Sequence, residues 1–193
     1  MPTPSLVHGS SPASFSEAST VRLPSPILGV LSAAGALALL RIGSSVSWLQ
    51  GALLGADAKV HADFLGGQGL IERILKPVSG FAHTAVTPGI ADFLTTVVIP
   101  HASLFAWLIM LSELCVGISL ATGTFARLGG LVAILRAITN VAVGGLSPET
   151  VGHNWMLALA GLVVLLSAAG RSSGVDALLQ RRFPGSRILR FLG

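Results

Sequence analysis

Apolar residues occur along this chain in long runs, and the polar positions between them are few and local. A run of about twenty apolar residues is what a helix needs to cross the hydrocarbon core of a bilayer. Four runs meet that description: roughly Ile27 to Leu54, His101 to Thr122, Arg127 to Gly145 and His153 to Gly170. Gly123, Gly144 with Gly145, and Gly170 mark their ends, as glycine does at helix stops. The first run is longer than a bilayer requires, so part of it projects or tilts. It follows Arg22 but continues past Arg41 with no processing site, which reads as a span rather than a signal peptide. Short connections make the last three helices antiparallel neighbours. The predicted fold class is all-α, an integral membrane four-helix bundle with a long first extracytoplasmic loop.

Outside the runs the chain changes character. Residues 1–25 are rich in Pro, Ser and Thr without apolar periodicity and read as a disordered cytoplasmic tail. Residues 26–180 form the membrane domain, and residues 181–193 form a basic cytoplasmic tail. The stretch from Gly55 to Pro100 is glycine-bearing and mixed in charge. Within it, Leu70 to Leu75 reads as one or two amphipathic turns on the membrane surface, and Ile90 to Ile99 as another short helix. A loop of this length without structure is uncommon unless it has a task. It is the candidate for a cap over the outer end of the bundle.

Composition supports a lipid solvent. Of 193 residues, 52% are hydrophobic and 10% charged, against about 25% charged in a typical soluble domain. Cationic residues set the orientation. Arg127 lies in the second connection, and Arg171, Arg181, Arg182, Arg187 and Arg190 lie in the last 23 residues, while Leu146 to Gly152 carries no Lys or Arg. The positive-inside rule then puts both termini in the cytoplasm and makes the chain a multi-pass protein of the plasma membrane. Lys59, Arg73 and Lys76 in the long loop argue weakly the other way. No aromatic-interleaved basic motif points to nucleic acid. The single cysteine, Cys115, excludes an internal disulfide and reads as a small buried apolar residue.

Three charges interrupt the spans: Arg41, Glu113 and Arg136. Each costs roughly 2.5–3.5 kcal/mol at a helix centre, so each is expected to face inward and find a partner. With helix 1 entering near Ser32, a rise of ~1.5 Å per residue puts all three roughly 13 Å from the cytoplasmic side, in one layer. One reading is a buried ion-pair clamp that fixes helix register. The other is an anion or quinone-oxygen site, since two guanidinium groups against one carboxylate leave positive charge and donors to spare. The residues leave both open. Asn140, one turn outward from Arg136, extends the polar layer.

A second polar group gathers at the outer end, with His101, His153, Asn154, Trp48 and Gln50. The histidines read as proton carriers or donors to a quinone carbonyl, or as plain interface residues. Trp107 and Trp155 fit an interfacial aromatic belt. Gly43, Ser47, Gly51 and Gly55 form a small-residue stripe that reads as packing within the bundle, with a homodimer contact as the alternative. No metal site is predicted, and the soluble nucleotide-binding, metalloprotease and hydrolase motifs are absent.

These residues resemble the DoxX/DoxD membrane proteins. The resemblance rests on Leu40-Arg41-Ile42-Gly43, Ser112-Glu113-Leu114-Cys115-Val116-Gly117, Gly123-Thr124-Phe125-Ala126-Arg127, His153-Asn154-Trp155 and the run from Ala169 to Asp176. It spans about residues 35–180. Ser112 stands where the family has Gly, and Ala126 where it has Thr. The DoxD branch is similar to the membrane subunit of thiosulfate:quinone oxidoreductase, which joins two thiosulfates into tetrathionate and passes the electrons to quinone. The resemblance implies a redox subunit in a bacterial plasma membrane, with lipid, quinone and a second redox subunit as partners. It implies quinone as the electron acceptor and no covalently bound cofactor. By position the resemblance covers Arg41, Glu113, Arg127, Asn154 and Arg171 but not Arg136, and with the polar layer of charges, Glu113, Arg41 and Arg136 are the catalytic candidates. His153, Asn154, His101, Trp48 and Asn140 are those that contact quinone or substrate. The alternative is a non-catalytic DoxX-type scaffold of a redox-stress or assembly complex, so whether the chain is itself an enzyme stays open.

Overall fold

The computed structural model describes residues 33–54, 58–167, 170 and 174–186. The predicted N-terminal tail, the start of the first span and the last seven residues lie outside the described residues. Among the described residues every regular element is helical. The long helices are α1 (Ala33–Leu53), α6 (Ala102–Thr122), α7 (Ala126–Gly144) and α8 (Pro148–Ser167). Between α1 and α6 lie α2 (Ala62–Leu65), α3 (Gln68–Leu75), α4 (Phe81–Thr84) and α5 (Pro88–Phe93), and α9 (Val175–Arg182) follows α8.

Three segments among the described residues are long and apolar enough to cross a membrane: Pro88–Thr122, Ala126–Gly144 and Pro148–Ser167. The protein is therefore an all-α, multi-pass membrane protein. Helix α1 matches these in length, with 21 residues. Arg41, Gln50 and a group of serines interrupt its apolar run, and it is not among the three.

Close contacts fix the antiparallel packing. On α1 and α6, Gly51 meets Glu113, Leu49 meets Gly117 and Arg41 meets Gly123. On α6 and α7, Ser119 meets Gly129, and on α7 and α8, Gly130 meets Gly161. A Cβ on Gly130 would stand 2.6 Å from the Gly161 carbonyl oxygen, so the backbones of α7 and α8 touch. Small residues permit this approach, which drives helix association where lipid removes the hydrophobic incentive. Trp48, Val116, Leu120, Ala133 and Val164 fill the middle of the bundle.

Two helix starts differ from the sequence reading. Helix α8 begins at Pro148, five residues before His153. The Ser147 hydroxyl accepts the Thr150 N–H (3.2 Å), and Pro148 occupies the first helical position. A serine cap followed by proline is a strong helix start. The stretch from Ile90 to Ile99 is not a detached helix. Helix α5, a π-helical turn (Leu94–Val98) and a 3-10 turn (Ile99–His101) run continuously into α6. Thr87 caps this rod by accepting the Ile90 N–H, with Pro88 at its first turn.

The long first loop folds as a cap over one end of the bundle. Phe64, Leu70, Ile74, Leu94 and Val98 are buried together with Ala106 of α6. Leu70 and Ile74 show that α3 turns its apolar face onto protein, not onto a membrane surface as the sequence reading had it. Ser103 Oγ donates to the Leu65 carbonyl (2.8 Å), Thr84 Oγ1 to Val143 (2.9 Å) and Val86 N–H to Ala142 (3.0 Å). These bonds pin the cap to α6 and α7.

Candidate functional site

Glu113, near the middle of α6, is 4% exposed and holds a cation on each oxygen. Lys59 Nζ donates to Oε2 at 2.6 Å, and Arg136 Nη2 of α7 donates to Oε1 at 2.7 Å. Lys59 reaches Glu113 because the chain folds back on the last turn of α1. Its backbone N–H and its ammonium both donate to the Gly51 carbonyl (3.3 Å each), and Val60 N–H donates to Ala52 (3.0 Å). Gly51 leaves room for this: a Cβ there would lie 3.2 Å from Glu113 Oε2 and 3.5 Å from Lys59 Nζ. The cluster carries one more positive charge than negative. Arg136 Nε is buried with no hydrogen-bond partner among the described residues. Trp48 Nε1 and Arg127 Nε, away from the cluster, are buried in the same way.

The cluster opens onto a cavity of about 800 Å³ between the cap and the bundle. Lys59, Glu113 and Arg136 share its wall with Asn140, His153 and Asn154. Asn140 Nδ2 donates to Asn154 Oδ1 (3.1 Å), and Asn154 Nδ2 donates to the Thr150 carbonyl (2.7 Å). Arg73, which stacks 5.1 Å over the Phe64 ring, and Glu149 add charge near the cap. The rest is apolar and includes Phe81, Phe93, Leu94, Phe105 and Ile109. A largely apolar chamber with a few converging polar groups is the usual form of a small-molecule site.

Five of the eight sequence candidates therefore line one cavity: Glu113, Arg136, Asn140, His153 and Asn154. Three do not. Arg41 is not in the layer of Glu113 and Arg136. Gly51 is the α1 residue opposite Glu113, and Arg41 is ten residues earlier, roughly 15 Å along the helix. A span that entered the bilayer near Ser32 would set Arg41 deep in the bundle, whereas the end of α6 at Gly123 lies level with Arg41 itself. Trp48 is 3% exposed in the bundle core, away from this cavity. His101 is exposed and directs Nδ1 at the Val97 carbonyl (3.0 Å), because the continuous rod makes it the end of a turn and not the start of a span. Lys59 was counted only as a loop charge, since nothing in its neighbourhood announces a chain reversal.

Arg41 belongs to a second centre at the opposite end of the bundle. It is 2% exposed, and the charge acting on it is Asp176. Asp176, wholly buried at the start of α9, accepts Phe125 N–H on Oδ1 (2.8 Å) and Ala126 N–H on Oδ2 (3.0 Å). It thereby caps α7 from 50 residues away. Phe125 holds a left-handed backbone (φ 50°), a conformation few non-glycine residues adopt. Gly123 (φ 70°) and Gly174 press against the Arg41 guanidinium, and Gly170 against Asp176. Each would overlap its neighbour if it carried a Cβ. The motifs around Arg41, Gly123 and Asp176 thus meet in one structural knot.

The small-residue stripe is also not uniform. Gly51 faces Glu113, but Gly43 is exposed and meets nothing within 4 Å, and Gly55 lies outside the described residues. Trp107 and Trp155 are 45% and 60% exposed, and Cys115 is exposed on α6, not buried as its apolar run suggested, because it lies on the outward side of the helix.

Comparison with known proteins gives one match. The family model described as TQO small subunit DoxD matches residues 79–191, which include Glu113, Arg136, Asn140, His153, Asn154 and Asp176. No curated protein and no solved structure matches. Because the matched region is more than half of the chain and takes in everything from α4 to α9, this multi-pass membrane protein belongs to the DoxD family of TQO-related membrane subunits.

Proposed function

We propose that this chain is the membrane subunit of a thiosulfate:quinone oxidoreductase in a bacterial plasma membrane, and that the capped cavity receives the quinone. The observation that carries the reading is the opening of the Lys59–Glu113–Arg136 cluster, with its surplus positive charge, onto the cavity. A clamp that only fixed helix register would have no need of a chamber beside it.

Oxidation of two thiosulfates to one tetrathionate releases two electrons, and quinone takes these with two protons to become quinol. The chain's own contribution is binding and proton placement. Lys59 and Arg136 present donors and surplus positive charge to a carbonyl oxygen or an anion. Glu113, ion-paired to both, holds the two cations in place, and the imidazole of His153 on the same wall is the candidate proton carrier. The walls are largely apolar, which strengthens the charge interactions beside them. A second redox subunit is the source of the thiosulfate electrons. With Arg127, Arg181 and Arg182 at the end away from the cap, the positive-inside rule favours a cytoplasmic Arg41–Asp176 end and an extracytoplasmic cap.

The second reading, a non-catalytic scaffold, draws on the Arg41–Asp176 centre, where several of the family-like motifs serve packing and capping. His153→Ala separates the two. His153 is exposed, so its removal leaves the fold intact. Thiosulfate-dependent quinone reduction is measured in membranes holding this chain and its redox partner, normalised to folded protein. The redox reading expects activity to fall with protein level unchanged. Unchanged activity, or no thiosulfate-dependent reduction even in the wild type, counts against it.

A further inference from the structure

A second, smaller cavity of about 310 Å³ lies against the outside of the capped chamber. The two share Ile90, Ile138, Ala142 and Asn154, so these side chains form the boundary at which one meets the other. The smaller cavity runs outward from that boundary between α5, α7 and α8. Val86 and Trp155 line its outer part. Asn154 alone brings a polar side chain to it, and that is at the inner end, bonded to Asn140 of the main chamber. In the outer part, Val86 is 44% and Trp155 60% exposed, and Trp155 stands on a helix that qualifies as a membrane span, so that part opens toward lipid.

The distribution of chemistry is one-sided. The main chamber gathers its charges at Glu113, Lys59 and Arg136, while the groove is apolar along its length. The Val86 N–H bond to Ala142 ties the chain before α5 to α7 and holds the edge of the groove in place (3.0 Å). This polarity matches a molecule with a polar head and a long hydrocarbon tail, delivered from the bilayer and not from water.

We propose that this groove is a tail subsite and lateral portal: an amphiphilic, lipid-soluble ligand lodges its head in the charged chamber and lays its isoprenoid or alkyl tail past Ile138 and Val86 toward Trp155. The proposal rests on the quinone reading of the chamber and adds how the ligand enters and what selects it. Tail length becomes part of specificity, because each buried methylene adds to affinity by the hydrophobic effect.

The test compares two probes on the full-length protein in detergent: a tailless benzoquinone, and the same ring carrying a long isoprenoid tail. Binding is read from quenching of intrinsic tryptophan fluorescence in the wild type and in two plugged variants, Val141→Phe and Val86→Phe, which line the groove and not the main chamber. These come from different elements, so a folding failure in one leaves the other. The expected result is tighter wild-type binding of the tailed quinone. In the variants that advantage drops about tenfold or more, the equivalent of losing two buried methylenes, while tailless binding holds. Retained tailless binding also verifies that the variant is folded. If the variants bind the tailed quinone as the wild type does, or lose both probes equally, the tail subsite is overturned and the chamber reading stands on its own evidence. If the wild type binds neither probe, the quinone reading of the chamber fails, and this proposal with it.

Discussion

Lys59 and Glu113 are 54 residues apart in the chain and form an ion pair of 2.6 Å beneath the cap. That pair joins the long first loop to the middle of α6. It also converts what would be a one-to-one Glu113–Arg136 bridge into a cluster with surplus positive charge. Removing either partner should therefore have unequal effects. Lys59→Met leaves Glu113 with Arg136 and should cost about 1.5–3 kcal/mol, the range of a hydrogen bond to a charged group. Glu113→Ala leaves two cations facing each other in a buried place and should cost about 3–5 kcal/mol. Thermal unfolding of the detergent-solubilised protein measures both, and the reverse order would contradict the geometry.

The Arg41–Asp176 centre makes a separate prediction. Asp176→Ala removes the charge opposite Arg41 and leaves the Phe125 and Ala126 N–H groups without their acceptor. The loss should again be about 3–5 kcal/mol, and much of the protein should fail to accumulate in the membrane. Gly123→Ala should act the same way, since its Cβ would overlap Arg41 and its backbone is left-handed. Wild-type accumulation of either variant, judged by protein level and unfolding temperature, would count against the knot.

Glycines give a graded test of packing. Gly130→Val drives a side chain into the α8 backbone at Gly161 and should destabilise by about 1–3 kcal/mol or more. Gly43→Ala meets open space and should be neutral or stabilising by about 0.5–1 kcal/mol, since alanine favours a helix over glycine. If Gly43→Ala disrupts the protein instead, a partner helix covers that face, which is the homodimer alternative for the stripe.

The sequence made the spans legible because their signal is local: about twenty apolar residues and a glycine stop. Glu113 and Arg136 could be paired in advance because both lie on helices joined by a short connection, so depth alone brings them level. Arg41 defeated the same reasoning because its helix has no such tether, and the assumed membrane boundary was off by several turns. Lys59 and Asp176 were illegible for a related reason. Each acts across more than fifty residues or nearly so, and nothing near either residue reports the partner. The start of α8 was a different kind of miss, since Ser147-Pro148 with Thr150 is a readable cap that the apolar run after His153 overshadowed. The cavity had no sequence signature, because its walls come from the cap, α6, α7 and α8 together.

The central claim is that the Lys59–Glu113–Arg136 cluster is a binding site and not only a clamp. Equilibrium quinone binding to the wild type and to Arg136→Lys tests it most directly. Lysine keeps a cation beside Glu113 but removes the planar fork of donors. The account predicts saturable binding to the wild type and binding about tenfold or more weaker in Arg136→Lys, a loss of about 1.4 kcal/mol or more, at an unchanged unfolding temperature. Equal binding by the two proteins, or none by the wild type, would contradict it.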